Sequence, residues 1–242
     1  MRQHEIQIVS EDQDLVIVNK PTQFLTIPDR HNPDEPNLYH FLQKVYEKIY
    51  VVHRLDYETS GILCFAKNEA AHRALSLQFS NHSVSKAYRA LVQGRMLQTE
   101  GMIDAPIGED PNRRGAMRVD YKLGKPALSR YKVLDTFKDY TYVEVSIETG
   151  RTHQIRVHLK SLGFPLLGDK LYGGQEHFML SSIKRRFHLK KDDDEQPTLS
   201  RVALHAHALT FLHPSLHTDT SFGVPLHKDM EVTLKLLRKY GA

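Results

Sequence analysis

The chain has 242 residues, enough for one large domain or two small ones with a substantial core. A formal charge of +4, a pI of about 9.0 and 15 histidines favour a polyanionic partner, though the excess is modest. The single cysteine, Cys64, excludes an internal disulfide and a Cys-rich zinc site; with no apolar run long enough to cross a bilayer and no apolar leader after Met1, a cytoplasmic location is expected.

In chain order, Ile6 to Ile8 and Leu15 to Val18 flank polar residues and read as two strands joined by a turn. Asn19-Lys20-Pro21 ends the second. After a proline-punctuated loop, Leu38, Phe41, Leu42, Val45 and Tyr46 fall at helical spacing. Val51-Val52 then leads into His53-Arg54-Leu55-Asp56, and Ile62 to Ala66 leads out, so Asp56 sits on a loop between two apolar strands, with Gly61 supplying the turn. A carboxylate there costs free energy unless a cation or hydrogen-bond donors compensate it. On spacing alone it is either a turn cap or an acid placed for chemistry.

Asn68 caps a helix whose apolar face is Ala71, Ala74, Leu75 and Phe79 and which ends near Asn81. Lys86 to Val92 is strand-like, with Tyr88, Ala90 and Val92 on one face, and a core tyrosine is the plain reading of Tyr88. Residues 106–126 read as a mobile basic loop containing Arg113, Arg114, Arg118, Lys122 and Lys125. Residues 129–134 and 142–147 form paired strands. A helix follows with Thr152 as cap and Ile155, Leu159 and Leu162 as its buried face; Arg156 borders that face and could reach inward. Residues 175–200, with Lys184-Arg185-Arg186, Lys190-Lys191 and the acidic run 192–195, read as a mobile charged insertion. His205 and His207 share a strand face and His213 and His217 form a second pair, but no acidic or cysteine ligand stands at a familiar spacing, so no metal is expected. Met230, Leu234 and Leu237 repeat along a final helix.

Taken together, His53-Arg54-Leu55-Asp56 with Thr59-Ser60-Gly61, Lys86-Ala87-Tyr88-Arg89-Ala90, Gly150-Arg151-Thr152-His153-Gln154-Ile155-Arg156-Val157-His158 and Leu204-His205-Ala206 resemble the RluA-type pseudouridine synthases. Asn19-Lys20-Pro21, Gly124-Lys125-Pro126-Ala127 and Gly168-Asp169 add to the match, which spans nearly the whole chain in family order. The resemblance implies an α+β catalytic fold with a mainly antiparallel twisted sheet and a central active-site cleft. It implies that specific uridines of structured ribosomal or transfer RNA become pseudouridine, with the nucleotide flipped out of its helix. No cofactor or metal is implied, and no obligate protein partner is evident.

By position, Asp56 matches the catalytic aspartate, Tyr88 the tyrosine against the target base and Arg156 the arginine that pairs with the aspartate. Arg54 matches the arginine that fills the vacated nucleotide space, and Leu204 an apolar pocket residue; His53, Lys86, Arg151 and Lys125 are placed among the substrate contacts. Asp56 would act either by adding to the sugar C1′ or by removing a sugar proton to give a glycal. Two departures stand out: Gln23 occupies a position where the family often has glycine, so the local turn is expected to differ, and the chain opens directly on catalytic-domain sequence. Residues 1–242 are therefore expected to form a single catalytic domain without an N-terminal S4-like RNA-binding domain. Target choice would then fall to the loop from Arg113 to Lys125 and the segment from Lys184 to Lys191. The rival readings are a non-catalytic RNA-binding protein on the same fold and a histidine-metal hydrolase.

Overall fold

The computed structural model describes residues 6–188 and 194–241. The Lys190-Lys191 pair and Asp192-Asp193 of the charged segment lie outside the described residues. In chain order the elements are β1 (Gln7–Glu11), β2 (Leu15–Lys20), α1 (Leu38–Gln43), β3 (Tyr50–Val51), β4 (Ser60–Ala66), α2 (Glu69–Ser80) and β5 (Ser85–Gln93). Next come β6 (Glu100–Asp104), β7 (Ile107–Glu109), β8 (Met117–Val119), β9 (Leu128–Thr136), β10 (Tyr140–Ile147) and α3 (Gln154–Ser161). A short 3-10 turn (Leu180–Ser182), β11 (Leu204–Leu212), β12 (Asp219–Gly223) and α4 (Lys228–Tyr240) complete the chain. They fall into two compact units, Met1–Tyr88 with His205–Pro225, and Arg89–Leu204 with Leu226–Ala242.

In the first unit β2 pairs antiparallel with β1 on one side and β4 on the other. Leu15, Val16, Ile17 and Val18 are all buried, as is every residue of β4, which explains why these strands read as continuous apolar runs and not as alternating ones. Asp12 closes the first hairpin, its Oδ1 accepting the N–H groups of Asp14 (2.7 Å) and Leu15 (2.8 Å). β11 runs parallel to β4 through His205↔Ser60 and Ala206↔Gly61, and β12 returns antiparallel along β11. Asn37 and Asn68 cap α1 and α2 by accepting the N–H groups of His40 and Ala71, the second as its sequence position predicts.

Gly61 does not make the turn expected of it. It lies inside β4 at φ 116, and a β-carbon there would meet the Ala206 carbonyl oxygen at 2.1 Å. Its role is close approach of two strands. The turn itself falls at Tyr57 and Glu58, closed by the Thr59 N–H on the Asp56 carbonyl at 3.1 Å.

In the second unit the strand order is β5-β10-β9-β6, with β9 antiparallel to β10 and β6 to β9. Val143, Val145 and Ile147 of β10 are buried as their alternation predicts. α4 lays Met230, Leu234 and Leu237 into a core with Leu91, Phe137, Tyr140, Tyr142, Leu167 and Ala203; burial of each such leucine contributes about 1.5–3 kcal/mol. Phe178 and Leu199 belong to the same core and bridge each other, so the charged segment 175–200 is anchored near both its ends.

Two local expectations change. Residues 106–126 are an ordered ribbon, β7 antiparallel to β8, because Arg113 donates to the carbonyl of Leu171 and Tyr172 Oη accepts the Met117 N–H at 2.8 Å. α3 begins at His153 in the left-handed region (φ 55) with no side-chain cap from Thr152, and Leu162, past its last turn, is 41% exposed. Among the described residues no helix is long and apolar enough to cross a membrane.

Candidate active site

The loop carrying Asp56 is held from behind by the segment that follows β2. Thr26 Oγ1 donates to the Leu55 carbonyl (2.9 Å) and accepts the Leu55 N–H (3.2 Å). Thr22 donates to the Glu58 carbonyl (2.7 Å), and the Phe24 N–H to that of Tyr57 (3.1 Å). Lys20, fully buried, donates from Nζ to the carbonyls of Phe24 (2.6 Å), Pro21 (3.0 Å) and Tyr57 (3.3 Å). Backbone on both sides of Asp56 is thus fixed, and its half-buried side chain is presented from a rigid base. Sequence reasoning noted Asn19-Lys20-Pro21 but assigned Lys20 no task; the one signal was a lysine closing an otherwise apolar strand.

Around this loop the first unit gathers several of the expected residues. Tyr88 is buried, and burial, then the Asp56 charge, pushes its phenol well above the ordinary range, so it is a neutral hydroxyl at physiological pH. His53 stacks on Phe79 with ring centres 4.6 Å apart, and its Nε2 accepts the Cys64 N–H at 3.0 Å. Burial, reinforced by Lys86, lowers its pKa to about 3, so it stays neutral. The Lys86 ammonium lies 5.9 Å from the Phe79 ring centre, and burial lowers its pKa. Arg54 is exposed. Ser60 Oγ and His205 Nδ1, 2.9 Å apart, lock β4 to β11 beneath the loop.

In the second unit Arg156 is buried on α3. Its Nε and Nη2 donate to the two carboxylate oxygens of Asp169, both at 2.8 Å, and its guanidinium lies 4.9 Å from the Tyr172 ring centre. Tyr172 Oη, which accepts from Met117, also bonds His153 Nδ1 at 2.7 Å. Asp169 and Tyr172 therefore fix the arginine's orientation, a task that sequence reasoning missed although it had noted Gly168-Asp169. Arg151 Nε donates to the Pro126 carbonyl (2.9 Å), tying α3's entry to the ribbon that ends at the exposed Lys125. Leu204 is buried, its carbonyl accepting from Arg201 Nη1 at 3.1 Å. The pairing of Arg156 with Asp56 that the family resemblance implies belongs to the proposal below.

In each of the two histidine pairs one member is engaged by backbone. His207 Nδ1 bonds the Val224 carbonyl (2.8 Å), and His213 Nδ1 accepts the N–H groups of Ser215 (3.3 Å) and Leu216 (3.2 Å). Asp12, Asp14 and His213 present ligand atoms within 4.8 Å of one another, but these atoms already cross-link turns: Asp12 Oδ2 to His213 Nε2 (2.9 Å) and Asp14 Oδ1 to Asn68 (2.8 Å).

A family model described as RNA pseudouridylate synthase matches residues 14–161. The uncharacterized RNA pseudouridine synthase YlyB of Bacillus subtilis is 37% identical over 98% of this chain and 74% of its own length. Ribosomal large subunit pseudouridine synthase D of Zymomonas mobilis is 35% identical over 96% of this chain and 73% of its own. The structure of human RNA pseudouridylate synthase domain containing 4 superposes with a TM-score of 0.72 at 23% identity, covering 96% of this chain and 92% of that one. The architecture is therefore the α+β fold of pseudouridylate synthases. The chain belongs to the RNA pseudouridylate synthase family, as its RluA-type motifs imply, and is an RNA pseudouridine synthase, an isomerase.

Proposed function

We propose that Asp56 is the catalytic carboxylate and that the substrate is a uridine in large-subunit ribosomal RNA, the class of target named for the Zymomonas relative. Isomerisation breaks the bond from N1 to C1′, rotates the uracil and joins C5 to C1′; the C5 proton leaves, and N1 gains one. All atoms are conserved, so the chemistry needs no cofactor. Asp56 acts at the sugar from a loop whose backbone is already fixed, which lowers the cost of reaching the reactive geometry. Tyr88 stacks on the base as a neutral phenol; since burial opposes phenolate formation, its oxygen takes part as a lone-pair acceptor or through a water, not as an anionic base.

Arg156, oriented by Asp169, is the cation that keeps the aspartate ionised, an assignment that rests on the family's motif. Arg54 fills the space of the flipped nucleotide, Leu204 borders the base pocket, and His53, Lys86, Arg151 and Lys125 contribute substrate contacts, with His53 limited to Nδ1 because Nε2 is taken. Base flipping follows from the reacting atoms being shielded in a stacked helix. The observation that carries this reading is the Asp56 loop itself, pinned by Lys20, Thr22 and Thr26 within motifs of a pseudouridine synthase.

The test is a pseudouridine map of ribosomal and transfer RNA from cells with and without the gene. One or more large-subunit sites should vanish and return with wild type but not with Asp56→Asn. The variant should fold and bind RNA normally. A site restored by Asp56→Asn would remove the catalytic assignment, and a site lost only from transfer RNA would remove the ribosomal one.

A further inference from the structure

A cleft of about 490 Å³ lies in the second unit. Three segments far apart in sequence build it: the turn between β9 and β10 with Lys138, the stretch after the 3-10 turn with Lys184 and Arg185, and the end of α4 with Lys239 and Tyr240. Four cations and one carboxylate, Asp139, line it, a net charge of +3. Among the described residues none of these four cations is in an ion pair. Lys239 in the last turn of α4 has a local explanation, since a cation there offsets the helix dipole. Lys138, Lys184 and Arg185 lie on no helix, and Lys184 also approaches the Phe187 ring at 5.9 Å.

The walls are fixed. The Lys138 N–H donates to the Gly241 carbonyl (2.9 Å), the Phe137 N–H to Tyr140 (2.9 Å) and the Lys184 N–H to Leu180 (2.9 Å). Glu195 approaches the rim but is engaged by the Ser181 N–H at 2.8 Å. Lys184 and Lys239 place their ammonium groups 5.4 and 5.1 Å from the Tyr240 ring centre. Cations that converge in excess of acids repel one another, and a polyanion relieves that repulsion. An aromatic ring flanked by cations, beside the hydroxyls of Ser181 and Ser182, suits a strand in which phosphates alternate with stacking bases.

We propose that this cleft binds the sugar-phosphate backbone of a single-stranded stretch of the RNA substrate, with Lys138, Lys184, Arg185 and Lys239 on phosphates and Tyr240 against a base. The proposal rests on the RNA-modifying reading above, and names an interaction that the catalytic motifs do not contain. Cations brought together by three segments would give the enzyme target affinity from its own catalytic-domain sequence.

The test is fluorescence anisotropy with a fluorescein-labelled single-stranded RNA of about 20 nucleotides, titrated between about 50 and 200 mM NaCl. Lys138→Gln with Lys239→Gln, Arg185→Gln, and Tyr240→Ala are compared with Lys44→Gln, an exposed lysine of the first unit. The double variant should weaken binding about tenfold and reduce the salt slope by about 1.4, roughly 0.7 for each phosphate that is no longer neutralised. Tyr240→Ala should weaken binding with the slope unchanged. Melting temperatures should match wild type.

Cleft variants that bind as wild type does, or a Lys44→Gln effect as large as theirs, overturn the cleft while leaving the enzymatic reading intact. Competition by a polyglutamate peptide equal to that by unlabelled RNA of the same charge overturns it in favour of an acidic protein. A wild-type chain that fails to bind this RNA at low salt and forms no pseudouridine overturns both.

Discussion

Gln23 adopts φ 52, the left-handed conformation in which a β-carbon presses on the following carbonyl. The strain falls in the segment that holds the Asp56 loop. Gln23→Gly should raise stability by about 0.5–1 kcal/mol, the relief of strain less the added chain entropy of glycine. A urea midpoint lower than that of wild type would show that the strain is absent. Gly61 has the opposite sensitivity. Gly61→Ala drives a β-carbon into the Ala206 carbonyl and should cost more than about 3 kcal/mol, read as a large fall in melting temperature; an unchanged melting temperature would show that β4 and β11 can separate without penalty.

At the scale of elements, one hydroxyl adds to the Arg151 bond in joining the ribbon β7–β8 to the entry of helix α3. Tyr172 Oη bridges the Met117 N–H and His153 Nδ1 while its ring supports Arg156. Tyr172→Phe keeps the ring and removes the bridge. The expected result is a loss of about 1–3 kcal/mol and faster amide exchange in residues 107–119, with the ring's support of Arg156 retained. Exchange unchanged in the ribbon would mean that Arg113 alone holds it. Asp169→Asn acts on the same helix from the other side. It removes the carboxylate charge from the bidentate pair with Arg156 and should cost about 1.5–3 kcal/mol and most of the turnover. Full activity in this variant would separate Arg156's orientation from catalysis.

At the scale of the molecule, acid acts through histidines in both units, His53 partly buried and His158 fully buried. His53 is held near pKa 3 by burial and by Lys86, below its ordinary 6.5, and burial lowers His158 as well. Between pH 6.5 and 3 the unfolded chain binds the proton that folded His53 refuses, so stability rises with pH across that window. Moving from about pH 7.5 to about pH 5 should lower unfolding stability by about 1–3 kcal/mol, and His53→Gln should flatten that dependence. A profile equally steep in His53→Gln would assign the effect elsewhere. Asp229 adds to acid lability at lower pH. Burial raises its pKa, but hydrogen bonds from His227 and Arg201 outweigh this and hold it well below 3.8, so its contribution is lost as pH falls below that value.

Much of this protein is local in origin and was therefore legible in the sequence. The cap Asn68, the alternation along β10 and the helical repeat of Met230, Leu234 and Leu237 each depend on residues within a turn or two of one another. The ordered motifs around Asp56, Tyr88 and Arg156 named the family for the same reason, since each motif is contiguous. Tertiary structure decided what depends on distant partners. Ser60 meets His205 across 145 residues, which places Gly61 inside a strand pair and not a turn. Lys20 and Thr26 reach the Asp56 loop, Tyr172 turns an apparently mobile basic loop into a ribbon, and three remote segments pool their cations beside Tyr240. Spacing reports which face of an element a side chain occupies; its partner is set by how the chain returns, and that is fixed only when the cores close.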